Sequence, residues 1–203
     1  MDTLQSNIYT PLELKNGIWD RVFTIAPLVV IGTKEMEGYD LAPKHMATPM
    51  GFGNYFGFVC TPRHGTYHNI KKTGNFSVSF PRPGQLVTTA LSATPRAGNV
   101  SKSEGIVEQL PIMKASTMDV PVVKGAYLYL ECRLFKIVDG FDSYSLITGS
   151  ITAAYVHQAY LRVSDQDEQE QLRENPLLAY IANGRYASVG DTYNFPFPKD
   201  FKR

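Results

Sequence analysis

Residues 126–156 constrain the fold more than any other stretch of the chain. Ala126 to Val138 reads AYLYLECRLFKIV, and Ser143 to Val156 reads SYSLITGSITAAYV. In a strand, successive side chains point to opposite faces, so runs of this length that alternate in hydropathy are strands. Asp139-Gly140-Phe141-Asp142 lies between them and has the composition of a turn. The pair therefore reads as one long antiparallel hairpin.

Other strands fit around it. Phe23 to Thr33, FTIAPLVVIGT, is rich in β-branched residues, holds no charge, and reads as a central strand. Lys34 to Asp40 is a polar turn with Gly38 as its pivot. His45 to Phe52 and Tyr55 to Cys60 are apolar stretches interrupted by Gly51 and Gly57, where a strand bulges or another group approaches closely. Phe76 to Phe80, FSVSF, alternates large and small residues.

Helices are fewer. Thr66 to Thr73 has Lys71 and Lys72 in its last turn and Gly74 where a C-cap belongs, which predicts a short helix between two strands. Ala93 to Gly105 reads as a loop with a brief helix after it. Asp165 to Glu174, with Ser164 as N-cap, reads as a solvated helix, and a short apolar helix follows Pro176. The balance favours an all-β barrel or a β-rich α+β domain.

Composition excludes several classes. The chain has 203 residues, 43% hydrophobic and 19% charged, with a formal net charge of +1. It is long enough for one generous domain with a substantial core. Nothing in that balance points to nucleic acid or to a membrane surface. The N-terminus lacks a basic region followed by a long apolar run, and Ile25 to Gly32 is too short to span a bilayer. The expected location is the cytoplasm, and the sequons at Asn75 and Asn99 read as chance matches. Cys60 and Cys132 show no metal-type spacing and read as buried free thiols.

Familiar catalytic signatures are missing: there is no GxxxxGK[ST], HExxH or GxSxG. The run from Gly51 to Gly57 carries its third glycine one place late for a dinucleotide fingerprint, and it lies between strands. His64 and His68 stand four apart, but Gly65 intervenes and the helix is expected to begin after His64, so the two would not share one helical face.

The informative segment is Thr61-Pro62-Arg63-His64-Gly65-Thr66-Tyr67, which joins a strand to the start of a helix. The first N–H groups of a helix lack internal partners, and the helix dipole adds positive charge there. With the planar fork of Arg63 and the hydroxyl of Thr66, the segment reads as a phosphate cradle. Taken alone, the segment reads more simply as a surface turn with a helix cap and a solvated arginine.

From Phe23 to Tyr160 the chain resembles the flavin reductase-like family with its FMN-binding split barrel. The resembling pieces come in order. They are Pro27 to Thr33 (PLVVIGT), His45-Met46-Ala47-Thr48-Pro49-Met50, Arg63 with Thr66, and Asn69 to Ser79 (NIKKTGNFSVS). Ser101-Lys102, the closing hairpin with Gly149, and Asn183-Gly184-Arg185-Tyr186 complete the series. His45 stands where the family often has Asn, and Asn75 where an acidic residue is frequent.

The resemblance implies a mainly β, antiparallel Greek-key split barrel with short connecting and C-terminal helices. It implies one domain over residues 1–203, with 164–203 as its extension. It also implies a homodimer with FMN near the subunit interface. His45, Met46, Ala47, Thr48 and Pro49 would follow the ring and ribityl chain. Cys60, Thr61, Arg63, His64 and Thr66 would hold ribityl and phosphate, with Lys102 as a second positive charge. The implied activity is electron transfer from NAD(P)H or a redox partner to flavin or another acceptor. The alternatives are a non-catalytic FMN-binding, storage or sensing protein, or an oxidase of the pyridoxamine phosphate oxidase type. His157, after the closing strand, reads either as a group that faces a nicotinamide or as an exposed or interface histidine.

Overall fold

The computed structural model describes residues 8–15, 17–95, 102–162, 167–182 and 184–199. In chain order its first elements are β1 (Ile25–Pro27), β2 (Val29–Lys34), β3 (Tyr39–Lys44), β4 (Ala47–Pro49) and β5 (Tyr55–Cys60). Then come α1 (Gly65–Thr73), β6 (Asn75–Phe80), α2 (Leu86–Leu91), α3 (Lys102–Gly105), β7 (Ile112–Lys114) and β8 (Pro121–Val123). The chain ends in β9 (Leu128–Phe141), β10 (Tyr144–Val156), α4 (Glu168–Glu174), β11 (Leu177–Ile181) and β12 (Arg185–Val189).

The main sheet has seven strands in the order β3-β2-β6-β9-β10-β5-β4, and all its pairings are antiparallel. Its two edges, β3 and β4, are separated in sequence by His45 and Met46 alone. Laid flat, seven strands would hold their edges about 29 Å apart. A link of this length reaches about 10 Å. The sheet must therefore curl until its edges face each other, and because β3 and β4 do not pair, the barrel stays split along that line.

The FSVSF alternation has a direct structural meaning. Phe76 and Val78 of β6 point into the barrel, where Phe76 packs edge-on against Phe58 at 5.5 Å between ring centroids. Ser77 and Ser79 point the other way, toward β8. The Ser77 hydroxyl donates to the Pro121 carbonyl, and the Ser79 hydroxyl accepts from the Val123 N–H at 3.0 Å. Both faces of β6 are buried, one in an apolar core and one under the β7–β8 hairpin. That hairpin is held from behind by Glu131, a fully buried carboxylate that accepts from the Ser116 and Thr117 N–H groups at 2.7 and 2.8 Å.

Helix α1 forms between β5 and β6, as its sequence predicts. Thr66, Tyr67 and Ile70 make its buried face, a spacing that puts one stripe against β2 and β3. Gly74 closes it at φ 70°, donating its N–H to the Ile70 carbonyl. Any other residue would be strained at that φ.

Four expectations need correction. The apolar run 23–33 is two strands, not one: β1 joins β11 and β12 in a separate three-stranded sheet, and β2 enters the barrel. Pro27, which has no N–H to donate, stands where the chain changes sheets. Leu177–Ile181 forms the central strand of that small sheet rather than a helix, because pairing on both sides decides a short apolar run that periodicity leaves ambiguous. The hairpin tip lies at Asp142 and Ser143, with Asp142 at φ 52°, so the predicted turn residues Asp139 to Phe141 still belong to β9. Helix α4 starts at Glu168 and is capped by Asp167, whose carboxylate accepts from two N–H groups. The expected cap, Ser164, lies outside the described residues. Among the described residues no helix is long and apolar enough to cross a membrane.

Candidate functional site

At the open line of the barrel, β3 and the start of α1 enclose a cleft of about 400 Å³. Asp40 and Lys44 enter it from β3, Arg63, His64, Gly65 and Thr66 from the β5–α1 junction, and Lys102 from α3. The N-cap of α1 is His64, and its side chain makes no capping hydrogen bond. The first turn of the helix thus forms a wall of the cleft without a cap from His64, and its Tyr67 N–H turns back to the His64 carbonyl at 3.1 Å. Arg63 is exposed beside them.

Charges in the cleft are mostly positive: Lys44, Arg63 and Lys102 stand against Asp40. Lys102 is nearly buried, and its ammonium lies 3.0 Å from Asp40 Oδ1 while also donating to the Leu41 carbonyl. The Thr66 hydroxyl, buried as well, donates to Asp40 Oδ2 at 3.0 Å. Burial, seconded by the Lys44 ammonium, pushes the His64 imidazole below its ordinary pKa. This donor set suits an oxyanion: two charged side chains, a helix start, and a lysine with a proton to spare.

The structure brings Arg63, His64, Thr66 and Lys102 together and places His45 and Met46 elsewhere. Those two line a second, largely apolar pocket of about 560 Å³ with Trp19, Ile25, Ala26 and Tyr180. The His45 ring stacks on Tyr180 with centroids 4.3 Å apart and an interplanar angle of 24°. Its pKa is lowered, first by burial and then by Lys44. Ala47 faces the core, whereas Thr48 and Pro49 are exposed on the edge strand β4. Thr61 accepts the Arg63 N–H on its hydroxyl at 3.4 Å. The Cys60 thiol is buried, donates weakly to the Thr61 carbonyl at 3.6 Å, and has its pKa raised by burial against the pull of Lys44.

The Thr66 hydroxyl proton is engaged by Asp40, so toward the cleft the hydroxyl can only accept. His157 lines neither pocket. It is exposed, as the second of its two readings has it, and caps a 3₁₀ turn, Gln158–Tyr160, by accepting from the Ala159 N–H. Asp40 and Lys44 are the site residues that the sequence did not single out. Ser101 and Asn183 of the resembling motifs lie outside the described residues.

A curled, antiparallel sheet split between its two edges, with a cleft lined by Lys44, Arg63 and Lys102 beside one edge, defines a split β-barrel. A family profile for the flavin reductase-like domain matches residues 23–189, and the chain belongs to that family. It is a family of flavin-related oxidoreductases.

Solved structures agree on the fold. A flavoredoxin from Methanosarcina acetivorans superposes with a TM-score of 0.74 at 21% identity, over 94% of this chain and 96% of its own. An FMN-binding protein from Thermus thermophilus with bound p-hydroxybenzaldehyde gives 0.72 at 22%, over 93% and 98%. A Shewanella frigidimarina protein described as a flavin reductase with a split barrel domain gives 0.73 at 17%, over 86% and 87%. No curated protein sequence matches.

Proposed function

We propose that this chain binds FMN as a homodimer and passes electrons from NAD(P)H or a redox partner to flavin or another acceptor. The observation that carries the reading is the cleft at the start of α1, which Arg63, Lys44 and Lys102 line together and whose helix has no side-chain cap from His64. A ribityl phosphate is a dianion of the size and charge that such a cradle accepts. The Thermus relative is by name an FMN-binding protein, and the archaeal one a flavoredoxin.

In this reading the segment from His45 to Pro49 follows the ring and ribityl chain, and Cys60 to Thr66 hold ribityl and phosphate, Thr66 through its main-chain N–H rather than its hydroxyl. Ala47 turns its side chain inward, so its contribution there is main-chain. β4 is an edge strand, and an edge leaves backbone N–H and C=O groups free for a ring's polar rim. The flavin, when bound, supplies the hydride and electron transfer itself. The chain's residues hold it, orient it and shield it from water.

The homodimer rests on an exposed apolar face. Tyr55 on β5 and Phe135 on β9 are exposed with their rings 5.0 Å apart, and Phe141, Tyr144 and Tyr155 are exposed elsewhere along β9 and β10. Exposed apolar surface of this kind marks an interaction site.

Three measurements test the proposal. The purified protein should be yellow, and the released chromophore should have the mass of FMN. Anaerobic NADH or NADPH should bleach it; a flavin that stays oxidised with both would leave a redox partner as donor or a protein without turnover. Arg63→Ala should weaken FMN by roughly ten- to a hundredfold, because a charge-assisted hydrogen bond contributes about 1.5–3 kcal/mol. Riboflavin should lose much less, and equal losses for both flavins would remove the phosphate from this cleft.

A further inference from the structure

We propose that Asp40 is a positioning residue for the anion end of the flavin site, an inference that rests on the reading of the cleft as the phosphate site. A carboxylate is an unexpected wall for such a cleft, since it repels the ligand. Asp40 is nevertheless almost wholly buried there, with its side chain 5% exposed. Both of its oxygens are engaged. Oδ1 takes the Lys102 ammonium at 3.0 Å, and Oδ2 takes the Thr66 hydroxyl at 3.0 Å. One side chain on β3 thereby ties α1 to α3.

The consequence falls on Lys102. A lysine is a point charge on a flexible stem, and its three protons have no fixed direction of their own. Here one proton goes to Asp40 and one to the Leu41 carbonyl, which leaves the third for the cleft that Lys102 lines. Thr66 acts on the other side of the carboxylate and restrains its rotation. Asp40 thus weakens the cleft as a charge and sharpens it as a geometry. Arg63, exposed and outside this unit, supplies charge without that restraint.

Titration of the apo protein with FMN and with riboflavin separates these roles. Lys102→Met should weaken FMN by about ten- to a hundredfold, the range for a charge-assisted hydrogen bond. Asp40→Asn keeps the shape and removes the charge; it should weaken FMN by roughly three- to tenfold and riboflavin by less than about twofold. In the Lys102→Met background, Asp40→Asn should cost FMN nothing more, because residues acting through one another are not additive. Thr66→Val should show a smaller FMN-specific loss that Thr66→Ser restores and that vanishes in the Lys102→Met background.

An unchanged or tighter FMN affinity in Asp40→Asn would overturn the proposal and leave Asp40 as an opposing charge alone. Equal losses for both flavins would make it a purely structural residue, which also overturns it. Thr66→Val carries the test by itself if Asp40→Asn does not fold. An FMN loss that persists in the Lys102→Met background would put Thr66 in direct contact with phosphate, against the proposal. If Lys102→Met and Arg63→Ala both leave the preference for FMN over riboflavin intact, the phosphate reading of the cleft itself fails, and this inference with it.

Discussion

The ammonium of Lys44 bears on three neighbours at once: it disfavours protonation of His45 and His64 and works against the burial of Cys60. For His45 this has a consequence that stability measurements can read. Its pKa in the folded protein lies below the ordinary value of about 6.5 that the unfolded chain keeps. As pH falls through that ordinary value, the unfolded state takes up the proton first, so the folded state loses stability. Above about pH 7 neither state is protonated and the contribution vanishes. Urea midpoints at pH 7 and pH 5 should therefore fall further for the wild type than for His45→Asn. Equal declines would mean that burial on Tyr180 leaves the imidazole indifferent. At this scale Arg63, Thr66 and Lys102 were legible from motif and resemblance, because each stands in a short recognisable run. Asp40 was not. Its role depends on meeting Thr66, 26 residues away, and Lys102 of a separate helix, and a lone Asp at the end of a turn carries no mark of such company.

Elements written in local patterns were readable: the long hairpin and β6 from alternation, α1 from its terminal lysines and Gly74. β3 was missed, because Asp40 and Leu41 are both buried in succession and Pro43 interrupts the run, so no period-two signal survives. The small sheet was missed for a different reason: β1 pairs with β11 from the far end of the chain, and no local signal records that. Gly149 shows the opposite case, a residue noticed by resemblance that the structure explains. A β-carbon there would stand 2.5 Å from Phe76 Cζ and 3.1 Å from the Arg133 carbonyl oxygen. Phe76 is fully buried and has no room to retreat. Gly149→Ala should therefore cost about 1–3 kcal/mol, the usual penalty for overpacking a core, read as a lower urea midpoint. A neutral result would mean that β10 can shift against β6 without loss.

At the scale of the whole molecule, Tyr55 and Phe135 pair on the outside of the barrel wall. Phe135 sits at a break in register, where Thr148 faces Lys136 and the next residue, Gly149, faces Leu134. A bulge of this kind re-aims the extra side chain. Phe135 is accordingly 63% exposed, with its ring 5.0 Å from Tyr55. If this face joins two copies, Phe135→Glu should move the sedimentation profile from dimer to monomer while far-ultraviolet circular dichroism stays unchanged. A wild-type protein that sediments as a monomer at micromolar concentration with FMN present would rule the dimer out.

The two-residue joint between β3 and β4 also says something about girth. In a fully closed barrel the circumference is fixed by ladder hydrogen bonds on every side, and widening it means breaking them, at about 1 kcal/mol net for each. Here the last side of the circle is a covalent strap, not a ladder. The strap limits the gap to about 10 Å but sets no lower value within that reach. Within that reach the seam between β3 and β4 can open or close with every rung of the seven-stranded sheet still in place.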